Sequence, residues 1–265
     1  MSRAWRTKRL GQVFLINDGV AKAEAAHAHG KIVIEMGPGR GILTRELCAN
    51  AKKVIAVEKD SDLCAILEST MHFRNLKIIN ADFFDLGKEI LKPSEADIFI
   101  SNVPYVLSSR IIQWLHENRM EAVVCLQKEY VGRLLAKQGT RNYSRLSVMA
   151  SLTFSITEIM DVPRRDFKPV PKVDSEVIFL KPRQDGPTPE EAQVIGVLMQ
   201  HRRKKVRNAI HDSSYGLGID RKEARKNASS IANANSSLFM LSPLEILDLA
   251  REIIKSGKRG SKRQR

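Results

Sequence analysis

Lys31-Ile32-Val33-Ile34-Glu35-Met36-Gly37-Pro38-Gly39-Arg40-Gly41 decides how the rest of the chain is read. Its first six residues form a short apolar run of the kind that fills a strand buried on both faces of a parallel sheet. The glycines that follow let the backbone turn tightly and come close to a ligand, just where a helix N-terminus would begin. A helical pattern then runs over about 41–51, with Leu43 and Leu47 one turn apart. The alternation continues outward. Residues 54–57, 76–79, 98–101 and 122–126 read as further strands, with helices over about 60–71, capped by Asp60, and about 108–117. This rhythm predicts an α/β fold with a mostly parallel, doubly wound sheet that binds ligands at the carboxyl ends of its strands.

After Leu146 the pattern changes to strand-like segments around 151–159 and 173–180. Pro182-Arg183-Gln184-Asp185-Gly186-Pro187-Thr188-Pro189 then breaks both helix and strand. The expected organisation is a first domain over 1–181, a linker over 182–189 and a small all-helical domain over 190–265, with helices over 190–211 and 243–255.

The formal net charge of +14 points to a polyanionic partner. It is unevenly spread: of 44 Lys and Arg and 30 Asp and Glu, 26 and 21 precede Lys181, a net of +5, and 18 and 9 lie from Lys181 onward, a net of +9. Cys48, Cys64 and Cys125 are far apart in apolar stretches and read as buried thiols, with no disulfide or zinc framework. His27 and His29 have no metal-ligating partners in sequence, so no metal is expected. With no apolar signal-like start and no run of transmembrane length, the expectation is a soluble cytoplasmic protein.

Acidic residues recur at the strand ends. Glu58 closes the second strand 21 residues after Gly37, where a carboxylate can bind ribose hydroxyls, and Asp82 beside Phe83 closes the third, suited to an adenine ring. Ile42 stands where a dinucleotide fingerprint needs Gly or Ala, so a nucleoside cofactor of another kind fits better. The fourth strand ends in Asn102-Val103-Pro104-Tyr105. Taken alone this is an Asn/Pro turn; beside the glycine loop it resembles the Asn/Asp-Pro-Pro-Tyr signature of amino-group methyltransferases.

Further blocks extend the likeness: Lys8-Arg9-Leu10-Gly11-Gln12-Val13-Phe14-Leu15, Leu126-Gln127-Lys128-Glu129, Tyr143-Ser144-Arg145-Leu146-Ser147-Val148, Phe167-Lys168-Pro169-Val170-Pro171-Lys172-Val173-Asp174-Ser175, and Gln200-His201-Arg202-Arg203-Lys204-Lys205-Val206-Arg207-Asn208. In this order they resemble the KsgA-type small-subunit rRNA adenine dimethyltransferases from end to end. Val13, where bacterial members carry Asn, removes a side-chain contact to the cofactor, and Ser144 stands where Gly is usual.

The resemblance implies a Rossmann-like class I methyltransferase domain with S-adenosyl-L-methionine as cofactor. Residues 1–16 would form a lid over it, and Gln12, Val13, Leu15, Gly37, Gly39, Glu58, Asp82 and Asn102 would contact it. Glu35 would shape the loop. Asn102, Val103, Pro104 and Tyr105 would form the catalytic centre, with Phe167 covering the other face of a flipped adenine. Arg202, Arg203, Lys204, Lys205 and Arg207, five bases in six positions on an expected helix, would bind RNA phosphates. The implied substrate is a pair of adjacent adenines in the 3′-terminal hairpin of small-subunit rRNA, met by a monomer on the immature small subunit. Two alternatives stay open: a large-subunit rRNA methyltransferase of the macrolide-resistance type, and a ribosome-assembly or RNA-binding factor without activity.

Overall fold

The computed structural model describes residues 13–86, 93–217 and 233–261. Among them the strands are β1 (Phe14–Leu15), β2 (Ile32–Met36), β3 (Lys53–Glu58), β4 (Leu76–Asn80), β5 (Ile98–Asn102), β6 (Glu121–Gln127), β7 (Phe154–Val162), β8 (Phe167–Lys168) and β9 (Ser175–Pro182). Seven form one sheet in the order β4-β3-β2-β5-β6-β9-β7. The first five are parallel, and β9 runs antiparallel to β6. β1 and β8 form a separate antiparallel ribbon, Leu15 opposite Phe167.

The helices are α1 (Asp18–Ala25), α2 (Ile42–Asn50), α3 (Ser61–Thr70), α4 (Ser108–Asn118), α5 (Lys128–Leu134), α6 (Arg145–Thr153), α7 (Pro189–Met199), α8 (Val206–Leu217) and α9 (Pro243–Ser261). Their starts are chemically marked. The Asn17 side chain accepts from Gly19 N–H at 2.8 Å, and the Asp60 side chain from Asp62 N–H at 2.9 Å, each satisfying a donor that the first turn leaves open. Covered on both faces, β5 is fully apolar at Ile98, Phe99 and Ile100, all fully buried. One cluster joins Val20, Ala21 and Ala25 of α1, Leu43 and Leu47 of α2 and the inner residues of β2, β3, β5 and β6.

Two compact units result: Met1–Val131 with Ile156–Pro182, and Gly132–Ser155 with Arg183–Arg265. The expected unbroken first domain over 1–181 therefore needs correcting. Residues 132–155 belong with the C-terminal helices because Tyr143, Val148 and Leu152 pack in one core with Ile195, Leu198, Ile210 and Ile246. The Tyr143 hydroxyl donates to the Leu241 carbonyl at 2.9 Å within that core. In this second unit Thr188 and Glu191 form a capping box at the start of α7.

Two segment boundaries also differ from expectation. The strand expected over 151–159 begins at Phe154, because α6 continues to Thr153. The helix expected over 190–211 is broken: α7 ends at Met199 and α8 begins at Val206. The six residues between are all polar, so a helix through them would have nothing to bury. Their backbone turns elsewhere, the Arg202 carbonyl accepting from Phe239 N–H at 2.8 Å and the Lys204 carbonyl from Leu238 N–H at 3.0 Å.

Candidate active site

Four neighbouring strand ends, those of β4, β3, β2 and β5, assemble the site in the first unit. After β2, Gly37, Gly39 and Gly41 all have positive φ (68°, 59° and 80°), a backbone that L side chains adopt only under strain. Gly37 N–H donates to the Val57 carbonyl at 2.8 Å, which ties the loop to β3. A side chain at Gly39 would stand 2.9 Å from the Phe14 ring, whereas none of the described residues lies within 4 Å of where a Cβ on Gly37 would be. The loop is thus packed on one side and open at Gly37.

Glu58, at the end of β3, holds the loop from below: Gly39 N–H donates to its Oε2 at 3.1 Å and Asp60 N–H to its Oε1 at 2.9 Å. Burial pushes its carboxyl above the usual range, while the N–H groups of Asp60, Gly39 and Lys59 pull it back. Asp82, just past β4, is committed within the protein. Its Oδ2 meets Lys59 Nζ at 2.7 Å and its Oδ1 accepts from Phe84 N–H at 3.1 Å. The Lys59 ammonium holds that carboxyl below its ordinary value. Phe83, read from the sequence as suited to an adenine ring, is buried instead, edge-on to Phe99 and Trp114.

Asn102 ends β5 next to the loop, since the Ser101 hydroxyl donates to the Met36 carbonyl at 2.6 Å. Asn102 Nδ2 donates to Glu24 Oε2 of α1 at 3.1 Å, and Asn102 Oδ1 is buried without a hydrogen-bond partner among the described residues. Val103 is buried and Pro104 exposed. Tyr105 is half-buried, with its hydroxyl 2.8 Å from the Ser175 hydroxyl, and burial raises its pKa. Glu35 of β2 is buried with Oε2 unpartnered among the described residues, and burial pushes its carboxyl up to about 8, the charges of Glu24 and Glu58 adding to that rise.

Sequence reasoning missed Glu24. The signal was available: Val20, Ala21, Glu24 and Ala25 share the buried stripe of α1, so an acid stands in an apolar row. Phe167 departs from its expected role in this conformation. The residue is 4% exposed and belongs to the sheet core with Leu15, so its ring has no open face for a base. Val13 packs against the same cluster, and Gln12 lies outside the described residues.

In the second unit the basic run sits on the turn between α7 and α8, and only Arg207 is helical. Arg203, Lys204, Lys205 and Arg207 are exposed and Arg202 partly so. Lys204 pairs with Asp212 at 2.6 Å, and Arg207 donates to Asn235 Oδ1 at 2.7 Å. Gln200 to Lys204 line one surface hollow. Among the described residues no His, Cys, Asp and Glu group is suited to a metal ion, and no helix is long and apolar enough to cross a membrane.

A parallel sheet closed by an antiparallel strand, with a glycine loop after its first strand and Asn-Val-Pro-Tyr after its fourth, defines a Rossmann-like class I methyltransferase. The solved structure of a dimethyladenosine transferase from Plasmodium falciparum matches it with a TM-score of 0.79 at 25% identity, over 92% of this chain and 98% of that one. The chain belongs to the ribosomal RNA adenine dimethylase family, which matches residues 5–255, and it is a methyltransferase of rRNA adenines. A protein of Thermococcus gammatolerans named "probable ribosomal RNA small subunit methyltransferase A" is 36% identical over 247 residues, 91% of this chain and 87% of that protein. The solved 23S rRNA methyltransferase ErmE is also similar, at 26% identity and a TM-score of 0.64 over 91% of this chain and 99% of that one.

Proposed function

We propose that the chain transfers methyl groups from S-adenosyl-L-methionine to the exocyclic amino groups of two adjacent adenines in the 3′-terminal hairpin of small-subunit rRNA, during assembly of that subunit. The observation that carries this reading is the unpartnered carbonyl of Asn102 at the end of β5, beside a glycine loop open at Gly37. Small-subunit rRNA is favoured over the large subunit by relatives such as the Thermococcus gammatolerans protein, which is more similar in sequence than ErmE.

The residues present fit a nucleoside sulfonium cofactor. Gly37 offers a cradle without side chains, and the Glu58 carboxylate is pinned at the end of β3 with lone pairs left for ribose hydroxyls. Asp82, already held by Lys59, would take the adenine amine of the cofactor, and Val13 and Leu15, with Gln12, would cover it from the N-terminal side. When bound, the cofactor supplies an electrophilic methyl group.

What the protein must add is alignment, because an adenine amino group is a poor nucleophile with its lone pair drawn into the ring. Asn102 Oδ1 and the Val103 carbonyl accept the two amino hydrogens and turn the lone pair towards the methyl. Pro104 restricts Val103 to extended backbone and so holds that carbonyl in place. Tyr105, its hydroxyl anchored on Ser175, gives the extruded base a stacking face. Phe167 completes the clamp only once its ring leaves the core against Leu15. Arg202, Arg203, Lys204, Lys205 and Arg207 hold the rRNA backbone.

With labelled S-adenosylmethionine and immature small subunits, Asn102→Ala is expected to lower methyl transfer by about 100-fold or more while subunit binding stays within a few-fold. Transfer at the wild-type rate would overturn the assignment of the site. Subunit binding with no transfer by the wild type would favour a purely binding role.

A further inference from the structure

Glu24 lies on the buried stripe of α1 and has no exposed surface. A carboxyl placed there costs stability unless it is hydrogen-bonded or neutral. Its hydrogen bond is to the proposed catalytic side chain, Asn102 Nδ2 donating to Glu24 Oε2 at 3.1 Å. The outer atoms of the pair, Glu24 Oε1 and Asn102 Oδ1, are both buried without a partner among the described residues.

The two ends of an asparagine amide are alike in size and opposite in hydrogen bonding: the oxygen accepts, and the nitrogen carries two donors. An adenine amino group also presents two donors. An Asn102 turned the wrong way would therefore oppose N–H to N–H and hold the substrate off. Something must fix the amide.

The geometry points to Glu24 as a positioning residue for methyl transfer: by accepting from Asn102 Nδ2 it leaves Asn102 Oδ1 facing the adenine amino group. This rests on the reading that Asn102 Oδ1 meets that group. Burial pushes the Glu24 carboxyl up to about 8, against the pull of the Asn102 hydrogen bond, so a neutral carboxyl does the holding near neutral pH. Its carbonyl oxygen still accepts, and no buried negative charge is needed. Glu35 from β2 and Cys125 from β6 lie within its electrostatic reach.

The test compares Glu24→Leu, Glu24→Met and Glu24→Gln in the full chain, with labelled S-adenosylmethionine and immature small subunits. Glutamine keeps an acceptor for Asn102 Nδ2; leucine and methionine do not. Both apolar variants are expected to lose about tenfold or more in kcat, with KM for subunits and cofactor affinity by calorimetry within about twofold. Glu24→Gln is expected to restore kcat to within about threefold of wild type. The Asn102 side-chain amide hydrogens should exchange slowly by NMR in wild type and Glu24→Gln, and quickly in the apolar variants. Equal kcat in all three variants, or a loss confined to cofactor affinity, would overturn the proposal. Asn102→Ala separates the two layers. If it is inactive while Glu24→Leu works normally, only the Glu24 role fails; if it is fully active, the reading of Asn102 fails first.

Discussion

Burial, more than any ion pair, sets the state of the carboxyls behind the site. Glu24 and Glu35 are both fully buried, and burial pushes each from 4.5 up to about 8. Between those values the folded protein keeps protons that the unfolded chain has released, so these groups make stability fall as pH rises through that window. Glu24 is faced by Asn102 and Cys125, and Glu35 by Thr44, Glu24 and Glu58. Glu35→Gln removes one such proton. Its thermal midpoint, measured from pH 5 to 8.5, is expected to gain on wild type as pH rises; a constant difference would contradict the raised value. Asn102 was singled out in the sequence because the Asn-Val-Pro-Tyr turn falls at a strand end beside the glycine loop. The Asn102–Glu24 bond was not, since the two residues are 78 positions apart and only the fold brings α1 against the end of β5.

At the scale of elements, the parallel strands were readable because each is a short, mostly apolar run closed by a glycine, an acid or an amide. Helix boundaries were less so. A strand over 151–159 and a helix over 190–211 looked continuous because their flanking residues suit either state, and tertiary contacts decided. The carbonyls of Arg202 and Lys204 bond to Phe239 and Leu238, far along the chain, and that pairing turns the basic run out of a helix. The glycine loop tolerates side chains poorly. Gly39→Ala would combine a φ of 59° with a Cβ 2.9 Å from Phe14, a backbone strain of roughly 1–2 kcal/mol before the ring moves. Calorimetry is expected to show cofactor affinity reduced by about tenfold or more, and an unchanged affinity would remove the loop from the cofactor site.

At the scale of the molecule, most of the net positive charge lies after Leu180, beyond the proposed catalytic residues. The net of +9 after Leu180 was legible from composition, whereas the membership of residues 132–155 in the second unit was not, because their apolar face meets partners such as Ile195 and Ile246 that lie well downstream. Arg203→Glu with Lys205→Glu is expected to weaken binding to immature small subunits and to flatten its dependence on salt, leaving cofactor affinity intact. Unchanged salt dependence would move the RNA surface elsewhere. The most direct test of the whole account is to map where the methyl label lands after wild-type protein, labelled S-adenosylmethionine and both kinds of immature ribosomal subunit are mixed. Dimethylated adenine is expected at two adjacent positions of the 3′-terminal hairpin of small-subunit rRNA, and label confined to large-subunit rRNA would contradict the proposed substrate.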